Sequence, residues 1–178
     1  MASTQWQLDA AHSDIAFRVR HLLVATATGK FKTFSATVNT EDEDFTTANI
    51  EFEVETASIE TGVADRDAHL RSDDFFNAEA FPKMTFKSTG GLKQVDGEQY
   101  TLDGELTIRD VTQPVTFDVE FGGIAKDPWG NIKAGFEING KIKRKSFGLQ
   151  WDVLTEAGGA VVADEVKIQA NLEFAKGQ

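Results

Sequence analysis

Apolar and polar residues alternate with a period of two along most of this chain, and the alternation fails in one place. From Ala48 to Thr56, Ile50, Phe52 and Val54 interleave with Glu51, Glu53 and Glu55. Successive side chains of a strand point to opposite faces, so this segment reads as a strand with one dry and one wet face. Its glutamate face cannot pack against a second sheet. Other segments repeat the pattern. His12 to Leu23 sets Ile15, Phe17, Val19, His21 and Leu23 against Asp14, Arg18 and Arg20. Gly29 to Val38 reads as its hairpin partner through Phe31 and Phe34, with Thr26 to Gly29 as the turn and Glu41 to Asp44 as a solvated loop. Lys83 to Ser88 reads as a short strand, and Gly90-Gly91 as a bulge, bend or strand end. Tyr100 to Ile108 carries Leu102, Gly104 and Leu106 inward, and Val115 to Phe121 carries Phe117 and Val119. Asp127-Pro128-Trp129-Gly130 is a turn with Pro at its second position and Gly at its fourth. Ile132 to Arg144 reads as the longest strand, with Ala134, Phe136, Ile138, Gly140, Ile142 and Arg144 on one face. Phe147 to Val153, a Gly158-Gly159 loop and a last strand through Val166, Ile168, Ala170, Leu172 and Phe174 complete the chain.

The exception runs from Thr61 to Phe81. Adjacent charges and an Asp/Arg-rich turn replace the alternation, followed by Phe75-Phe76 and Phe81-Pro82. This stretch predicts a helical insertion over about 61–81, with Thr61 as N-cap, Asp65 in the first turn and an Asp67–Arg71 pair on its surface. Three Phe in a polar segment must be buried somewhere, so the insertion is expected to lie across one end or face and turn Phe75, Phe76 and Phe81 inward.

Single-faced strands in hairpin order predict an all-β fold, an eight-stranded antiparallel β-barrel closed on itself. The 178 residues fit one domain, 1–178. Eight strands stand at the boundary between a filled barrel and one that holds a small ligand. The small inward residues Gly104, Ala134, Gly140 and Ala170 leave both readings open: they leave a hollow, or they make room for facing Phe rings. A hollow barrel on the order of 33 Å tall would be narrow and apolar, suited to an extended lipid, since each buried methylene contributes about 0.8 kcal/mol.

Composition excludes several classes. The chain has no cysteine, which removes disulfides, thiolate metal sites and thiol catalysis. A net charge of −11 disfavours nucleic-acid binding, which rests on Lys and Arg neutralising phosphates. The first residues lack a basic and an apolar region of signal-peptide type, and no apolar run is long enough for an integral membrane helix. A cytoplasmic protein is the expectation. No metal is expected: His12 and His21 are an odd number of residues apart, so a regular strand points them to opposite faces. His12 and Ser13 read as a structural hydrogen-bond pair. A nucleophile elbow and a phosphate-binding P-loop are both absent.

The motifs, in order, resemble the YceI-like family of lipocalin-like polyisoprenoid-binding proteins. They are Trp6, His12-Ser13-x-Ile15-x-Phe17-x-Val19-x-His21 and Gly29-x-Phe31, then Ala57-Ser58-Ile59-x-Thr61 and Arg66-Asp67-x-His69-Leu70-Arg71-Ser72. Asp74-Phe75-Phe76, Phe81-Pro82, Leu106-Thr107-Ile108-x-x-Val111-Thr112-x-Pro114-Val115, Asp127-Pro128-Trp129-Gly130, Phe147-Gly148 and Gly158-Gly159 follow. Leu22, Asn77 and Ser146 depart from the family pattern, which has Met, Asp and an acidic residue there. The resemblance implies a lipocalin-like barrel whose pore holds an isoprenoid tail, of polyprenyl or isoprenoid-quinone type, with no catalytic residues and no cofactor beyond the bound lipid. Fatty acid or acyl amide ligands, or an enzyme acting on a lipid-like substrate in the same pore, are the alternatives, and a homodimer is compatible with it. The expected pore lining is Phe17, Val19, Phe31, Phe52, Phe75, Phe76, Phe81, Leu102, Leu106, Phe117, Val119, Phe136, Ile138, Ile168 and Leu172. His21, Arg66, His69 and Arg144 are the candidates for head-group contact.

Overall fold

A computed structural model describes residues 2–22, 24–151 and 162–177. Its strands are β1 (Ser3–Leu8), β2 (Asp14–His21), β3 (Ala25–Phe31), β4 (Phe34–Glu41), β5 (Asp44–Glu55) and β6 (Ile59–Glu60), then helix α1 (Ala64–Arg71). After it come β7 (Lys83–Ser88), β8 (Lys93–Asp96), β9 (Gln99–Ile108), β10 (Val111–Lys126), β11 (Ile132–Lys143) and β12 (Val162–Lys176). All pair antiparallel, and β12 closes the barrel by pairing with β11 on one side and with β1 and β2 on the other. β1 and β2 run in one direction as a single stave interrupted at Asp9–Ser13, and β3 and β4 form the next, interrupted at Lys32–Thr33. With β5, β7, β9, β10, β11 and β12 these make eight staves in up-and-down order, which is the barrel the alternation predicts.

Several boundaries differ from the sequence reading. Thr26 to Gly29 lies inside β3 rather than in a turn, so Gly29 to Val38 is divided between two strands. The chain reverses after His21, where the Val24 amide donates to the His21 carbonyl and Leu22 takes a left-handed backbone (φ 55°). The longest strand is β10, not Ile132 to Arg144; β11 stops at Lys143 and Arg144 opens a short 3-10 turn that includes Phe147. Pro114 is tolerated within β10 because this part of the strand has a ladder neighbour on one side only. Leu23, Val153 and the Gly158-Gly159 loop lie outside the described residues.

The core is aromatic and graded along the barrel. At the end where β4 turns into β5, Trp6 is fully buried, donates from Nε1 to Thr40 Oγ1 at 3.0 Å and packs on Phe45. Phe45 also meets Phe121 and Phe136 at 5.3 and 4.9 Å between ring centroids, so this end is plugged. The small inward residues resolve toward ring packing. A Cβ on Gly140 would meet Phe117 at 2.3 Å, and one on Gly104 would meet Phe86 at 2.4 Å. Among the described residues, no helix is long and apolar enough to cross a membrane.

Candidate functional site

The barrel is nonetheless not filled. An inner cavity of about 140 Å³ lies toward the plugged end and an outer one of about 270 Å³ toward the opposite mouth. Phe17, Phe31, Met84 and Ile168 border both, forming a waist between two chambers of one apolar interior. Phe52, Leu102, Leu106, Phe117, Val119, Phe136, Ile138 and Leu172 line the inner chamber, while Val19, Phe75 and Phe76 line the outer one. Of the apolar residues expected there, Phe81 alone reaches neither. Its carbonyl accepts from Thr56 Oγ1 and its ring lies under the Arg109 guanidinium, so it packs against the outside of the lid's attachment.

The insertion does cover the mouth, but its internal logic differs from the prediction. Helix α1 is short, Val63 is its N-cap, and no side chain caps it. Asp67 is buried and does not pair with Arg71. It accepts from both the backbone amide (2.8 Å) and the hydroxyl of Thr61. Arg71 instead donates to the carbonyls of Ala57 and Ile59 at 2.9 and 3.1 Å, tying the helix to the barrel wall. On the far side Arg109, in the turn between β9 and β10, donates to the carbonyls of Asp73 and Phe75 and to the Asp73 carboxylate. Asn77 takes a left-handed backbone (φ 46°), a conformation its amide side chain tolerates well. The lid is thus latched from two sides by guanidinium groups, and between the latches it lowers Phe75 and Phe76 over the chamber.

The polar candidates His21, Arg66, His69 and Arg144 all border the outer chamber. Three of them have other work. Arg66 donates to the Thr61 hydroxyl and carbonyl. His69 Nε2 lies 2.8 Å from Asp74 Oδ2, and its ring meets Phe75 and Trp151 edge-on. Arg144, 3% exposed, donates to the carbonyls of Leu149, Trp151, Val162 and Ala163, which lets a guanidinium stay in an apolar core. His21 is exposed at the rim. These groups present mostly their carbon framework to the chamber.

Sequence reasoning missed Phe45, whose position next to an acidic run disguised a core residue. It also missed Leu70, Leu149 and Trp151, which lie outside strands where alternation carries no signal. His12 and Ser13 do not pair with each other. Ser13 Oγ donates to the Asp9 carbonyl, while His12 Nδ1 lies 2.8 Å from Asp9 Oδ2 and 3.4 Å from Glu173. Asp9, His12 and Glu173 could offer a cation three ligand atoms, but the Lys133 ammonium already stands 2.8 Å from Asp9 and supplies that charge. Lys133, and then His12, hold the Asp9 carboxyl well below the usual carboxylate range, and Asp9 in turn raises both partners.

Known proteins resemble this chain along nearly its whole length. A family model described as the YceI-like domain matches residues 6–174. A UPF0312 protein of Staphylococcus epidermidis is 38% identical over 172 residues, covering 96% of this chain and 97% of the relative. The Campylobacter jejuni YCEI protein superposes with a TM-score of 0.76 at 32% identity, covering 96% of each chain. BcnA of Burkholderia cenocepacia also gives 0.76, at 26% identity over 93% of this chain and 98% of that one. A polyisoprenoid binding domain from Saccharophagus degradans, implicated in plant cell wall breakdown, shares the fold at a TM-score of 0.69 and 15% identity, covering 97% and 98%.

Proposed function

The chain belongs to the YceI-like family, and from that premise we propose that it is a non-catalytic binder and carrier of a long-chain isoprenoid lipid. The observation that carries the reading is the pair of apolar chambers joined at a waist inside a closed barrel. An extended prenyl chain would run from the mouth past Phe17 and Phe31 and end against the aromatic plug at Trp6 and Phe45. Each methylene-sized group that leaves water adds about 0.8 kcal/mol, so such a chain needs few polar contacts. The polyisoprenoid-binding description of the Saccharophagus domain, which has the same fold, supports the choice of ligand class. The engagement of Arg66 and Arg144 by backbone carbonyls of the fold itself supports binding over catalysis, because it turns both guanidinium groups away from a ligand in the chamber.

Organic extraction of the purified protein followed by mass spectrometry tests the reading. A stoichiometric prenyl lipid is the expected result, and replacing Phe76 by Asp should lower its retention more than it lowers the unfolding temperature. Recovery of a fatty acid or acyl amide would redirect the ligand class. No retained lipid, with no uptake of added polyprenol, would remove the proposal.

A further inference from the structure

We infer that the mouth end of the barrel is a docking face for an anionic lipid bilayer. This goes beyond the proposed ligand and does not depend on it. On the outer face of the wall beside the mouth, Arg18 stands directly opposite Lys167, and Lys167 directly opposite Lys141. Like charges in register across a sheet are destabilising, so the fold gains nothing from this row. Arg20, which also borders the outer chamber, and Lys143, which stands opposite Glu165, extend it toward the rim. Against these cations stand Glu165, which reaches Lys141 at 3.8 Å, and Asp118 at the margin of the groove they line. Arg18, Arg20, Lys143 and Lys167 have no ion-pair partner among the described residues, in a chain whose net charge is −11.

Beside this row the rim is apolar. Val24, 84% exposed, leads out of the reversal after His21, where Leu22 is also exposed. Exposed apolar tips flanked by unpaired cations fit a bilayer surface, where the tips enter the head-group zone and long Lys and Arg stems reach phosphates.

The overall negative charge does not oppose this. The acidic turn Glu41 to Asp44 lies at the plugged end, roughly 30 Å away along the barrel by strand length and tilt. At physiological salt, interactions between exposed charges are screened beyond about 8 Å. Asp65, Asp73 and Asp74 are on the lid side of the mouth, so the barrel would lean onto the β2–β12–β11 wall, which leaves the lid free to move.

Sedimentation with large unilamellar vesicles tests the docking. The protein should sediment with phosphatidylcholine/phosphatidylglycerol vesicles at about 0.05 M salt, and this should disappear at about 1 M salt and with pure phosphatidylcholine. Each cation removed should weaken partitioning about five-fold, so Arg18→Gln with Lys167→Gln should weaken it about 25-fold. Val24→Ser should weaken it as well. The control pair Lys93→Gln with Lys126→Gln, elsewhere on the barrel, should leave it unchanged. Absence of sedimentation, equal binding to neutral vesicles, or an equal loss in the control pair would overturn the inference. Lipid extraction from the same variants separates the two proposals, because retained lipid with lost docking leaves the ligand reading intact.

Discussion

Replacing Arg109 by Met should unlatch the lid without unfolding the barrel. Arg109 donates to the carbonyls of Asp73 and Phe75 at 3.1 and 3.2 Å and lies 5.6 Å from the centroid of the Phe81 ring. A hydrogen bond from a charged donor contributes about 1.5 kcal/mol at the low end, and the exposed Asp73 carbonyl less, because water replaces the donor there. The cation–π contact adds about 0.5 kcal/mol at such a partly exposed site. The ion pair to Asp73, whose side chain is 81% exposed, adds close to nothing. The latch is therefore worth about 2–3 kcal/mol, a roughly 30- to 150-fold rise in the open population. Native-state hydrogen exchange reads this directly. The Phe75 and Phe76 amides, which donate to Ser72 and Leu70, should exchange faster by about that factor while the β11 and β12 amides keep their protection. Uniformly faster exchange across barrel and lid would refute the latch and make Arg109 a global stabiliser. No change at Phe75 and Phe76 would show that Arg71 alone holds the lid.

Gly140→Ala should destabilise the barrel by about 1–3 kcal/mol, because its Cβ overlaps Phe117 and drives that ring into the inner chamber. Gly90→Ala, where a Cβ meets nothing within 4 Å, is the matched control, and thermal unfolding of the two compares them. The seam where β1 meets β12 should respond to pH in two steps. Stability from Asp9 is present above its unfolded pKa of about 3.9 and lost as the pH falls through its lowered folded value. Stability from His12 is full below about 6.5 and lost as the pH rises through its raised folded value. His12→Gln should therefore lower the unfolding temperature at about pH 5.5 and have no effect near about pH 9; an effect of equal size at both values would contradict the ion pair.

Where one physical rule acts locally, the sequence was readable. Lys83–Ser88 is a strand over the residues that alternation marks, and the Asp127 turn closes with the Gly130 amide on the Asp127 carbonyl. The breaks at Asp9–Ser13 and Lys32–Thr33 preserve direction and show in the alternation only as a shift of phase, from Leu8 to Ile15 and from Phe31 to Phe34, which a segment-by-segment reading passes over. Alternation is silent about a reversal made without Gly or Pro, which Leu22 accomplishes by taking a left-handed backbone. The expected Asp67–Arg71 pair assumed that both residues face water. Asp67 instead turns inward because the Thr61 amide and hydroxyl need an acceptor there. Arg144 was legible as an inward-facing cation, but its carbonyl partners come from segments no spacing rule connects to it.

The distribution of polar and apolar contacts separates two tasks that a lipid carrier must keep apart. Burial of methylenes is nearly additive and indifferent to head-group chemistry. Under the proposed function, affinity inside these chambers therefore follows how much chain fits between the mouth and the plug at Trp6, Phe45, Phe121 and Phe136. Opening is governed by different residues. Arg71, from the lid, holds the wall carbonyls of Ala57 and Ile59, and Arg109, from the wall, holds the lid carbonyls of Asp73 and Phe75, so both latches are made through backbone rather than through the apolar chamber lining. Under the proposed function, the ligand would be held by apolar contacts and the lid by separate guanidinium contacts, so a change at Arg71 or Arg109 would alter opening without altering the chamber lining.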